Sequence, residues 1–176
     1  DCTLGVAKAY TTRVGQGPMP SELHDATGDR LREVGREFGT TTGRPRRCGW
    51  FDSVITRHAC RTNGVDGLGL MKLDVLDGFE QVGLVIGYRT GEGTLTQHLP
   101  SCAQDWNELK PEVRLFKGWD KPTRGLTDPA QLPAAARAYL EALVESVETP
   151  IAYLSTGPDR EEGFAYPGSF LEGRFR

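Results

Sequence analysis

Apolar positions change period several times along this chain, and each change marks an element. Residues 4–12 mix apolar and β-prone side chains and predict a strand, closed by the Gly/Pro-rich run Arg13-Val14-Gly15-Gln16-Gly17-Pro18-Met19-Pro20. Over residues 23–38 the spacing becomes helical: Leu31, Val34 and Phe38 recur three and four apart among charged neighbours, with Gly39 as the expected stop. Trp50, Val54, Ile55 and Ala59 predict a second helix that Asn63-Gly64 ends. Residues 68–74 form a short apolar run whose charges arrive only at its C-terminal end, as in a buried strand of an α/β sheet. Residues 82–89 predict a further strand, and Gly91-Glu92-Gly93 turns it back through residues 94–99 as a hairpin. Residues 133–147 carry Ala135, Ala138, Tyr139, Ala142, Leu143 and Val147 on one helical face, with Pro133 suited to a first turn. Ile151, Ala152, Tyr153 and Leu154 predict a last buried strand, which runs into Ser155-Thr156-Gly157-Pro158-Asp159-Arg160.

Strands and helices in this order predict an α/β fold: a mostly parallel sheet with flanking helices and a small antiparallel outgrowth. Neither a repeat nor a linker interrupts it, so residues 1–176 are expected to form a single portion of one domain.

With 176 residues, 38% of them hydrophobic, the chain can bury one core. Its net charge of −3 argues against a general nucleic-acid or anionic-membrane binder. Cys2, Cys48, Cys60 and Cys102 form no CxxC pair and have no His at zinc-ligand spacing, so they read as free thiols of a reducing, cytoplasmic compartment. No apolar run approaches membrane-spanning length and no signal segment opens the chain. It starts at Asp1 without Met and enters a strand at once, which reads as a fragment.

Three stretches carry candidate chemistry. The run from Gly39 to Trp50 packs Thr40, Thr41, Thr42, Gly43, Arg44, Pro45, Arg46 and Arg47 into one loop. Guanidinium forks match carboxylate or phosphate bidentately, and hydroxyls and glycine-adjacent N–H groups complete an anion's shell. So dense a cluster is self-repelling unless an anion sits in it; a solvated basic turn is the plainer alternative. Lys72-Leu73-Asp74 sets Lys and Asp two apart at a strand end, which would point both side chains to one side. A carboxylate accepting two adjacent N–H donors reads the edge of guanine, with the Lys stem over the flat face of the base. Isolated, such a pair is more often a surface ion pair. The third stretch, Ser155-Thr156-Gly157-Pro158, lies beyond a strand's carboxyl end, where open α/β sheets bind ligands.

The runs AYTTRVGQGPMP, TTTGRPRRCGW, MKLDVLDG and STGPDR follow one another in this order, and together they resemble the adenylosuccinate synthetase family over residues 5–162. The resemblance implies the C-terminal part of a P-loop-NTPase-like α/β domain in a GTP-dependent ligase that joins IMP and L-aspartate. It assigns Thr40, Thr41, Thr42, Gly43, Arg44, Pro45 and Arg46 to the aspartate loop, with Arg44 also touching IMP and Arg46 reaching the GTP side. Val14 would meet the IMP ribose through its backbone, and Lys72, Leu73, Asp74, Ser155, Thr156, Gly157 and Pro158 would line the guanine pocket. It further implies Mg2+, a homodimer, and a cytoplasmic enzyme with neither nucleic-acid nor membrane partners. The family's Gly-rich phosphate loop, its base and its catalytic His match no motif here, so catalytic and metal-binding residues are expected outside this chain and the chain alone is expected to be inactive. His24, His58 and His98 fall on no motif and read as ordinary structural or surface residues. The alternative is a non-catalytic guanine-nucleotide-binding module. The aromatics Phe164, Tyr166, Phe170 and Phe175 follow no pattern of the family and could cover a core edge or meet a partner.

Overall fold

A computed structural model describes residues 1–102 and 104–174. They form two compact units that interleave in sequence: residues 1–9, 55–82 and 116–174 in the first, residues 10–54, 83–102 and 104–115 in the second.

The first unit is built on a four-stranded sheet of β1 (Leu4–Lys8), β5 (Gly67–Met71), β9 (Ile151–Ser155) and β10 (Gly163–Ala165), in that order. β1 and β5 run parallel from Leu4↔Gly67 to Lys8↔Met71. β5 and β9 run parallel to Leu70↔Leu154, and β10 returns antiparallel along β9. Leu68, Leu70, Ile151, Ala152 and Leu154 are buried, as befits strands covered on both faces. Helix α3 (Ala134–Val147) contributes Ala136, Tyr139, Leu140, Leu143 and Val147 to this core. Tyr139 has its ring edge-on to Phe116 at 5.6 Å and its hydroxyl 3.3 Å from the Ala9 carbonyl.

The sequence ends its strands at residue 154, but the sheet continues in β10. Phe164 is buried there, Ser169 donates to the Ala152 carbonyl at 3.1 Å, and the Phe170 ring lies where a Cβ on Gly67 would fall 2.9 Å away. These aromatics cover an edge of the core; Phe175 lies outside the described residues.

The second unit holds two small sheets. β2 (Thr11–Arg13) pairs antiparallel with β3 (Arg47–Gly49). β6 (Gln81–Arg89) pairs in parallel with β4 (Phe51–Asp52), antiparallel with β7 (Leu95–Thr96), and also with β8 (Lys110–Lys117). The β6–β7 hairpin is the predicted antiparallel outgrowth. Tyr88 donates to buried Asp52 at 2.5 Å, and burial together with that carboxylate pushes the phenol's pKa well up.

Three sequence expectations change. The strand expected over residues 4–12 is two strands, because β1 pairs within the first unit and β2 within the second. Helix α1 is shorter than expected, Ala26–Val34. Its Asp25 cap accepts from Thr27 and Gly28 N–H at 3.0 and 3.1 Å, a contribution of about 1 kcal/mol. It stops at Gly35 rather than Gly39, because Arg36 turns left-handed at φ 51°, and Gly35 lies so close to Tyr10 that a Cβ there would fall 2.3 Å from the hydroxyl. Helix α2 (Ser53–Asn63) ends where expected. The third change concerns residues 72–74, which are not strand. Lys72 is left-handed at φ 63° and Leu73–Leu76 is a 3-10 turn, so strand alternation does not set the directions of Lys72 and Asp74.

Candidate functional site

In the second unit, the threonine–arginine loop is a closed hairpin. Phe38 bridges to Pro45, Gly39 N–H donates to the Arg44 carbonyl at 2.9 Å, and Gly43 N–H returns to the Gly39 carbonyl at 2.8 Å. Gly43 turns the chain at φ 64°, a conformation glycine adopts without strain. The turn leaves Thr40, Thr41, Thr42, Gly43, Arg44 and Pro45 exposed at its tip, with the Thr42 hydroxyl accepting from Arg44 N–H at 3.4 Å.

The three arginines have separate fates. Arg46 donates from Nη1 to Glu37 Oε2 at 2.8 Å, while the Tyr10 hydroxyl donates to Oε1 of the same carboxylate at 2.6 Å. Glu37 is fully buried, so this is a cross-brace under the loop. Arg47 donates from Nε to Glu22 at 2.7 Å and from Nη1 to the Gly17 carbonyl at 2.7 Å, and the Glu22 bond and charge, against desolvation, hold its pKa above the usual guanidinium range. Through Gly17 it fixes the loop that presents exposed Val14. Arg44 alone points outward, its side chain making no ion pair or hydrogen bond among the described residues. Glu22 and Glu37 thus supply the anions for two arginines, and the third is available to a ligand.

In the first unit, two turns leave the carboxyl ends of the neighbouring parallel strands β5 and β9. The first carries Lys72, Leu73 and Asp74. Leu73 is fully buried, and Asp74 is half-buried. Burial, then the negative charge of Asp77, pushes the Asp74 carboxyl up from the ordinary carboxylate range; Glu162 adds to the rise and Arg124 opposes it. The second turn is closed by the Ser155 hydroxyl donating to the Gly157 carbonyl at 2.9 Å. Glu162 lies beneath it: Oε2 accepts from Asp159 N–H at 3.1 Å, and a Cβ on Gly157 would fall 2.1 Å from that oxygen. Thr156 is fully buried with its hydroxyl on the Leu126 carbonyl at 2.8 Å, so it shapes the turn from behind, while Pro158 is exposed. The topology therefore brings Lys72, Asp74 and the turn after Ser155 to one sheet edge, where an acceptor-rich, half-buried carboxylate can receive paired N–H donors.

Sequence reasoning missed Glu22, Glu37, Asp77 and Glu162. The only trace of the first two was electrostatic: so dense an arginine cluster requires anions, and these come from the protein. His24 is 80% exposed and His58 and His98 are exposed, consistent with surface residues. Among the described residues, no disulfide joins any of Cys2, Cys48, Cys60 and Cys102.

The chain matches the adenylosuccinate synthetase family model over residues 1–164. It is 53% identical over 159 residues to adenylosuccinate synthetase of Acidithiobacillus ferrooxidans, covering 90% of this chain and 37% of that protein. Against that of Nitrosomonas europaea it is 49% identical over 168 residues, covering 95% of this chain and 39% of the relative. A fully ligated adenylosuccinate synthetase structure from Plasmodium falciparum superposes with a TM-score of 0.90 at 36% identity, covering 94% of this chain and 40% of that one. The chain spans about two fifths of the length of these proteins. Its mostly parallel α/β sheet is that of the adenylosuccinate synthetase family, to which this chain belongs.

Proposed function

We propose that residues 1–176 form one portion of a GTP-dependent ligase that joins IMP and L-aspartate into adenylosuccinate, supplying its amino-acid loop and guanine pocket. The observation that carries this reading is the pair of turns at the carboxyl ends of β5 and β9, which gathers Lys72, Asp74 and Ser155, Thr156, Gly157 and Pro158 at one edge. Asp74 receives the N1–H and 2-amino group of guanine, and the Lys72 stem covers the base. Arg44 forks onto a substrate carboxylate, with Thr41 and Thr42 completing its shell, while Arg46 bears on the GTP side from its brace on Glu37. The backbone of Val14, presented by the loop that Arg47 holds, meets the IMP ribose.

In the reaction, the γ-phosphoryl group of GTP passes to O6 of IMP, and the aspartate amine then displaces phosphate at C6. This chain's residues bind and orient; positioning and charge neutralisation account for most phosphoryl-transfer catalysis. Mg2+ would neutralise phosphate charge in that step. Among the described residues no group of three or more His, Cys, Asp or Glu side chains is placed to hold a metal ion. None of the helices of the described residues is long and apolar enough to cross a membrane. A cytoplasmic homodimer completes the reading.

The test is an assay of the complete gene product with IMP, L-aspartate and GTP, following adenylosuccinate by its ultraviolet absorbance. GTP-dependent product is expected, with ATP a poor substitute. No turnover by folded enzyme that still binds GTP, with Mg2+ present, would favour a non-catalytic guanine-binding module, and aspartate-independent GTP hydrolysis without adenylosuccinate would overturn the ligase reading.

A further inference from the structure

The two turns of the guanine site lie past the end of strand pairing. The last residues that pair β5 with β9 are Leu70 and Leu154, so Asp74 and Gly157 sit four and three residues beyond them. Something other than the sheet must fix the distance between the turns, and one segment touches both. Asp77, which follows the 3-10 turn and donates its N–H to the Asp74 carbonyl at 3.1 Å, gathers four donors on its carboxylate. They are Trp119 Nε1 at 2.6 Å, Thr123 N–H at 2.8 Å, Thr123 Oγ1 at 2.8 Å and Arg124 N–H at 3.3 Å. At its other end the same segment is tied to the second turn: the Thr156 hydroxyl donates to the Leu126 carbonyl at 2.8 Å, and Gly125 N–H donates to the Thr156 carbonyl at 3.3 Å. Trp119, Thr123 and Thr156 are all buried, so water competes little for the bonds their side chains make. Between the two ties, Arg124 Nε lies 3.8 Å from Glu162 Oε1.

We propose that residues 119–126 are a latch that sets the spacing of the guanine pocket, with Asp77 and Thr156 as positioning residues that determine how well Asp74 discriminates the base. The proposal rests on the guanine-pocket reading above and goes beyond it, since that reading gives neither Asp77 nor residues 119–126 a part. An acceptor meeting two N–H donors of one base edge tolerates little displacement, because hydrogen bonds weaken steeply once bent. A slack latch therefore weakens the guanine-specific contact more than it weakens contacts to ribose and phosphate. Local unfolding would instead weaken all of them together.

The experiment is equilibrium titration of the complete gene product with GDP and with IDP, whose base lacks the 2-amino group. The variants are Asp77→Asn, Thr156→Val, Thr123→Val and, as the control on the pocket itself, Asp74→Asn. In the parent protein GDP binds more tightly than IDP, and Asp74→Asn removes most of that ratio. Asp77→Asn reduces the ratio at least fivefold with Asp74 intact, while IDP affinity changes less than threefold; Thr156→Val and Thr123→Val, near-isosteric, each reduce it about twofold to threefold. Should Asp77→Asn fail to fold, these two decide. A ratio unchanged in all three latch variants, or equal weakening of GDP and IDP, overturns the latch while the Asp74 control still stands. A ratio unchanged in Asp74→Asn overturns the pocket reading and the latch with it.

Discussion

Replacing Glu37 by Gln tests whether Arg46 is braced from below or merely solvated. The carboxylate is fully buried and receives two charge-assisted bonds, from Tyr10 at 2.6 Å and Arg46 at 2.8 Å. Bonds to a charged group contribute roughly 1.5–3 kcal/mol each. Gln keeps the shape and one acceptor oxygen but sets an amide NH2 against a guanidinium or a hydroxyl; the hydroxyl can turn to accept, the guanidinium cannot. The Arg46 side chain is 30% exposed and recovers some hydration, which trims the loss. The net expectation is about 2 kcal/mol of destabilisation, measured by denaturant unfolding of the complete gene product. A cycle with Arg46→Gln should show coupling of about 1 kcal/mol or more, since directly contacting buried partners do not add. A loss under about 0.5 kcal/mol with no coupling would place Arg46 in the class of surface pairs and refute the brace.

Further outcomes follow from single residues. Arg44→Leu should leave stability within about 0.5 kcal/mol, since its side chain has no partner among the described residues, yet raise KM for aspartate tenfold or more; a normal KM would remove Arg44 from the loop's chemistry. The Asp74 carboxyl is raised in the fold by burial and by Asp77, with Glu162 adding and Arg124 opposing. Its contribution to stability is complete below the ordinary Asp range and is lost as pH rises through the raised value. Asp74→Asn should therefore melt higher than the parent at pH 7–8, with the advantage fading in acid; equal melting at both pH values would contradict this. Gly35→Ala should destabilise by about 1–3 kcal/mol, because its Cβ would fall 2.6 Å from the Leu31 carbonyl as well as on the Tyr10 hydroxyl. Retained stability there would mean that the helix end can shift.

What was legible in the sequence was local. The C-terminal half of the α3 face (Tyr139, Ala142, Leu143, Val147), the stop of α2 at Asn63, the hairpin at Gly91-Glu92-Gly93 and the charge beyond β9 follow from periodicity and turn residues within a few positions, whereas in the first turns of α3 it is Ala136 and Leu140, not Ala135 and Ala138, that are buried. What was not legible depends on partners distant in sequence. Glu37 lies 9 residues from Arg46, Glu22 lies 25 from Arg47, and Asp77 lies 42 and 46 from Trp119 and Thr123. Lys72-Leu73-Asp74 shows how residue choice and conformation part company. The run looks like the end of a strand because Leu73 is apolar and buried, but a left-handed Lys72 bends the chain into a 3-10 turn. Candidate residues could be read there, while their directions could not. The break at Ala9 and Tyr10 was hidden for a similar reason: the apolar run is continuous, and only pairing with β5 on one side and β3 on the other divides it.

The most direct test of the guanine pocket proposed at the carboxyl ends of β5 and β9 is the ratio of IDP to GDP dissociation constants for the complete gene product, before and after Asp74→Asn. Loss of a charge-assisted bond of roughly 1.5–3 kcal/mol corresponds to about a 10- to 100-fold fall in that ratio, with the diphosphate still bound. A ratio within twofold of the parent's, in a folded Asp74→Asn protein, would contradict the assignment of this sheet edge to guanine.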